Sequence, residues 1–163
     1  MKDKKKIFEL AGNLNTAMSY AVIGLPDRFL KHRHAWQAAH VLKDFGCRVF
    51  LVSPQLKIFE GSRVYPDLAA LKGKVDVIVP CLRPHLIKDI VQDTVDCEAK
   101  YIWFQEQNWT PDFEAACQEN NIGVVRGCIL KHKLFSKPLA FLNPCYWHGR
   151  NEKKVPGKYQ RIR

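Results

Sequence analysis

Apolar residues along this chain come in blocks of two kinds. Short, nearly unbroken apolar runs recur at 19–24, 48–52, 75–79, 100–104 and 122–125. Between them lie longer stretches in which apolar positions return every third or fourth residue. The clearest runs from Ala35 to Phe45: Ala35, Trp36, Ala38, Ala39, Val41, Leu42 and Phe45 follow a helical period, and Gly46 stands where a helix C-terminus favours glycine. The short runs read as strands covered on both faces, since a strand with one wet face would alternate. Ser53-Pro54 stops the second strand and Pro80 the third. Residues 55–66 read as a connection carrying Gly61 and Tyr65-Pro66, with a helical turn from Asp67 to Leu71 after it. Arg83-Pro84 opens a helix over roughly 84–95, and Thr110-Pro111-Asp112 starts another that reaches about Asn120. Strands alternating with helices predict an α/β fold on a mainly parallel, five-stranded sheet.

The rest of the chain is organised around the stretch 19–28. Its strand ends at Gly24, a polar and basic loop comes after it, and then a helix. This is how an open α/β sheet begins its ligand crevice. A backbone without a Cβ lets a phosphate approach, and the next helix aims free N–H groups at the same place.

Charge changes this picture only at the ends. The net charge is +10, but residues 2–6 hold +3 and residues 136–163 hold +6, which leaves +1 for 7–135. A body built to coat nucleic acid would carry more positive charge of its own, so a nucleic-acid partner is disfavoured. No apolar run approaches the ~20 residues of a membrane span. No signal-peptide core comes after Met1–Lys6, and the chain reads as cytoplasmic. The six cysteines form no CxxC pair, so most read as packed thiols. Cys128/His132 and Cys145/His148 have spacings that chance also produces, and no metal site is assigned. Residues 1–135 read as the domain and 136–163 as a basic extension. Phe141, Leu142, Tyr146 and Trp147 suggest that 139–148 docks on the domain or on a second copy of it.

Ligand chemistry in such a sheet sits beyond the C-terminal ends of the strands. After the first strand come Gly24, Leu25, Pro26, Asp27 and Arg28, then Arg33 and His34; after the second come Ser53, Pro54 and Lys57; after the third, Cys81, Leu82, Arg83 and Pro84. Gln105-Glu106-Gln107-Asn108 come after the fourth. Basic residues at three of these ends suit an anion with several phosphates. The loop at Gly24 lacks GxGxxG, and the second strand lacks the acidic residue that holds the ribose of NAD. Ser53 with Lys57 suits a phosphorylated ribose instead, and coenzyme A carries a 3′-phosphate there. No nucleophile–base pair stands out, so no catalytic residue is assigned.

The order of short motifs resembles that of the CoA-binding domain family, small single-domain relatives of the CoA-binding domain in the succinyl-CoA synthetase α subunit. The motifs are Val22-Ile23-Gly24-Leu25, Val52-Ser53-Pro54, Gly61 with Tyr65-Pro66-Asp67-Leu68, Arg83-Pro84, Trp103-Phe104-Gln105 and Cys128-Ile129-Leu130-Lys131. Pro26 stands where the family usually has Ser, Thr or Asn, and His34-Ala35 where it usually has Pro-Ser, so a hydroxyl cap is missing. The resemblance implies a Rossmann-like three-layer fold and non-catalytic binding of coenzyme A or an acyl-CoA. The pyrophosphate would lie near Gly24, and the adenosine end near Ser53-Pro54 and Arg83-Pro84. Two other functions stay open: a regulator that senses NAD(H) or another nucleotide, and the CoA-binding subunit of an acyl-CoA ligase completed by a separate chain.

Overall fold

A computed structural model describes residues 7, 9–132 and 142. Its elements are β1 (Ser19–Ile23), α1 (Pro26–Leu30), α2 (His34–Asp44), β2 (Arg48–Val52), β3 (Ile58–Phe59), β4 (Ser62–Tyr65), β5 (Val77–Pro80), α3 (Ile90–Cys97), β6 (Tyr101–Phe104), α4 (Pro111–Glu119) and β7 (Gly123–Arg126). They form one sheet in the order β3-β4-β2-β1-β5-β6-β7. Every pairing is parallel except β3 with β4.

The expected α/β architecture and mainly parallel sheet are present, but the strands number seven rather than five. The two additional strands come from the connection 55–66. It turns back on itself at Glu60-Gly61, both with positive φ (48° and 74°), and forms the β3–β4 hairpin. β4 then joins β2 in parallel, Leu51 opposite Val64 and Val52 opposite Tyr65. Two corrections concern helices. The loop after Gly24 contains α1, in which Pro26 takes the first helical position and no side chain caps the end. The single helix expected over 84–95 is a 3₁₀ turn, Pro84–Leu86, with α3 after it.

Side chains of successive strand residues point to opposite faces. Val22, Val79 and Trp103 pack under α2 with Ala35, Ala38, Ala39 and Leu42. Their neighbours Ala21, Ile78 and Ile102 pack on the other face with Ile90, Val91 and Cys97 of α3 and Cys117 of α4. Three layers result. Cys47, Cys97 and Cys117 are buried thiols, and burial pushes Cys117 up to about 11. Thr110 caps α4 as its sequence suggests, its Oγ1 accepting from the Phe113 N–H at 3.2 Å. No helix among the described residues is long and apolar enough to cross a membrane. The extension 136–163, with its expected docking segment, lies outside the described residues apart from Leu142, which is exposed.

Candidate functional site

The sheet order contains one reversal. From β1 the chain moves outward to β2 and β4, then returns past β1 to lay down β5, β6 and β7 on the other side. At such a switch point the loops leaving two adjacent parallel strands diverge to opposite faces and open a crevice. Here the adjacent strands are β1 and β5, paired from Tyr20 with Val77 to Ile23 with Pro80. A cavity of about 600 Å³ lies at their C-terminal ends. Leu25 and Arg28 line it from the β1 side and His34 from the start of α2. Cys81, Leu82, Arg83, His85 and Leu86 line it after β5, Gln105, Glu106, Gln107 and Asn108 after β6, and Cys128 after β7.

Two buried amide side chains hold these loops together. Asn108 Nδ2 donates to the carbonyls of Pro80 (2.7 Å) and Leu82 (3.0 Å), and its Oδ1 accepts from the Gln105 N–H (2.8 Å). Gln105 Nε2 donates to the Trp103 carbonyl (3.3 Å), while its Oε1 accepts from the Ile129 N–H (3.0 Å). That orientation leaves the second lone pair of Oε1 for His34 Nε2, 3.0 Å away, which is therefore the donor. Burial holds the His34 imidazole below the ordinary histidine range; Gln105 opposes this and the Arg28 charge adds to it. His34 is thus neutral with its proton on Nε2. Burial likewise pushes the Cys81 thiol up, with Cys128 adding to the shift, so Cys81 stays protonated.

Of the residues singled out from sequence, Leu25, Arg28, His34, Cys81, Leu82 and Arg83 are brought together around this cavity. Gly24, Pro26, Asp27, Arg33, Ser53, Pro54, Lys57 and Pro84 do not line it. Gly24 donates its N–H to the Val52 carbonyl at 3.1 Å, and a Cβ there would lie 2.5 Å from that of Ala35. Its missing side chain thus serves the packing of α2 on β1. Arg33 precedes α2 as an N-cap without a side-chain bond, in keeping with the absent hydroxyl. Ser53 is fully buried, and its Oγ has no hydrogen-bond partner among the described residues; Pro54 and Lys57 are exposed. Gln105, Glu106, Gln107 and Asn108, read from sequence as the residues just past the fourth strand, line it too, and His85, Leu86 and Cys128 complete the lining. Two histidines have structural surroundings: His32 and His40 stack on either side of Trp36, at 4.4 and 4.1 Å between ring centroids. The pairings Cys128/His132 and Cys145/His148 involve side chains outside the described residues.

A cleft at the switch point of a parallel α/β sheet is where open sheets of this class place their ligands. The CoA binding domain family matches residues 18–133, well over half of the chain, and the chain belongs to that family. Solved structures share the fold. One, from Thermus thermophilus, is 27% identical with a TM-score of 0.61, covering 69% of this chain and 84% of its own. A conserved hypothetical protein from Pyrococcus furiosus is 16% identical at a TM-score of 0.59, covering 78% and 99%. A dinucleotide-forming acetyl-coenzyme A synthetase from Ca. Korarchaeum cryptofilum is 17% identical at a TM-score of 0.56; the match covers 66% of this chain and 25% of the synthetase. Among curated proteins no match to this chain is found.

Proposed function

We propose that this chain binds coenzyme A or an acyl-CoA, without catalysis, across the C-terminal ends of β1 and β5. The observation that carries the proposal is that Arg28, from the β1 side, and Arg83, from the loop after β5, line one switch-point cavity. Guanidinium groups bind phosphate oxygens through paired charge-assisted hydrogen bonds. The remaining lining fits the rest of the ligand: Leu25, Leu82 and Leu86 offer apolar surface, and Gln107 offers an amide to a pantetheine arm. The adenosine end lies toward Ser53 and Lys57, outside the cavity proper.

The non-catalytic part of the proposal is supported by the two groups best placed to react. Cys81 is held as a thiol, which is a poor nucleophile. His34 has committed its Nε2 proton to Gln105. The chain would act in the cytoplasm as a carrier, sensor or buffer of its ligand. Calorimetry with CoA, dephospho-CoA and NAD tests the proposal, together with mass spectrometry of whatever co-purifies. CoA should bind more tightly than NAD, and dephospho-CoA more weakly than CoA. Equal or tighter binding of NAD overturns the proposal.

A further inference from the structure

A second cavity, of about 300 Å³, opens beside the first and is lined by Gln105, Glu106, Trp109, Arg126 and Gly127. Gln105 and Glu106 line both cavities, so the two adjoin. Arg126 is the last residue of β7, and its guanidinium lies over the Trp109 ring, 3.4 Å from the centroid. The indole is held in turn, its Nε1 donating to Glu114 Oε2 at 2.7 Å. Among the described residues Arg126 takes part in no ion pair. It is an exposed cation stacked on an indole, with Glu106 lining the same cavity. Stacking occupies a face of a guanidinium and leaves the N–H groups along its edge, whose fork matches the two oxygens of a carboxylate.

We infer that the second cavity receives the acyl group of a coenzyme A thioester, and that Arg126 selects an acyl chain ending in a carboxylate. The inference rests on the coenzyme A reading of the main cavity. If phosphates meet Arg28 and Arg83, the loop after β6, which lines both cavities, is left for the pantetheine arm and its thioester. A continuation from there leads past Gln105 and Glu106, which line both cavities, to Arg126. The second cavity has half the volume of the first and suits a chain of a few carbons.

Calorimetry on the full chain with CoA, valeryl-CoA and glutaryl-CoA tests this. Valeryl and glutaryl groups have the same number of carbons and differ in a terminal methyl or carboxylate. Glutaryl-CoA should bind about tenfold or more tighter than valeryl-CoA, as a charge-assisted pair implies. Arg126→Gln should bring that ratio close to one, and Arg126→Lys should leave part of it, because the charge remains and the fork does not. A ratio near one in the unaltered protein overturns the inference while CoA binding stands. An equal loss of CoA and glutaryl-CoA affinity in Arg126→Gln also overturns it, since Arg126 would then meet a phosphate. Absence of any CoA binding overturns both this inference and the reading beneath it.

Discussion

A Cβ built on Gly24 would lie 2.5 Å from the Cβ of Ala35, closer than real side chains approach. Strand β1 and helix α2 therefore touch through a glycine, with the Phe29 ring 3.1 Å away on the same side. Gly24→Ala should cost about 1–3 kcal/mol through overpacking, seen as a lower urea midpoint at an unchanged slope. Combining it with Ala35→Gly should cost less than the two changes summed, because the glycine makes room for the new methyl. Simple additivity would mean that the two positions do not compete for space.

Asn108 bonds both β5-loop carbonyls and the β6-loop amide. Asn108→Leu removes all three partners at once, while the neighbouring cavity admits water to some of the groups left behind. A loss of about 2–3 kcal/mol is expected, with weaker ligand binding because the two loops lose their common anchor. Thermal unfolding and calorimetry on the same variant check it. Unchanged stability would show that the loops are held by other contacts.

Acid should weaken the fold in two stages. His34 is neutral in the folded chain, and the unfolded chain takes up its proton near the ordinary value of 6.5. Its contribution to stability is whole above that pH and declines as pH falls from there through the lower folded value. Glu60 acts further down: hydrogen bonds from Trp36 (2.7 Å) and His40 (2.9 Å) hold its carboxyl below the usual carboxylate range. Its contribution is whole above 4.5 and is lost as pH falls below that. His34→Gln keeps a donor for Gln105 and should flatten the upper stage alone. Denaturant midpoints across this range decide it, and an unaltered upper stage would mean that protonated His34 is tolerated.

Ser53 Oγ is buried without a partner among the described residues. Burying an unpaired hydroxyl costs about 1–3 kcal/mol, so Ser53→Ala should leave the melting temperature unchanged or raise it. Its effect on CoA affinity locates the adenosine end: a loss places the ligand against Ser53, and no loss places it elsewhere. A lower melting temperature would show that the hydroxyl has a partner after all.

Patterns that depend on near neighbours in sequence were legible. The period of Ala35–Phe45 marks α2 to within a residue, Gly46 adopts the positive φ expected of it, and Thr110-Pro111 opens α4. The β3–β4 hairpin was not legible, because two residues of β3 are too few to display alternation and Glu60-Gly61 resembles any loop turn. Ten of the thirteen residues that line the cavity could be read from the stretches just past each strand end. The anchoring roles of Gln105 and Asn108 could not, since His34, Ile129, Pro80 and Leu82 are brought near them only by the assembled sheet. Gly24 stood out for a real constraint, but its cause, Ala35, is visible only once α2 packs on β1.

Tyr20 pairs with Val49 on one side and with Val77 on the other, so the first strand of the chain is the middle strand of the sheet. On the ribosome, β1 to β4 are available to close into one half before β5 has emerged. The cleft needs both halves, so the capacity to bind cannot arise until the second half has emerged. A ligand spanning Arg28 and Arg83 would act as a clasp across that late seam. Cellular lifetime should then track ligand supply: a starved cell would hold chains that open at the seam more often and reach proteases sooner.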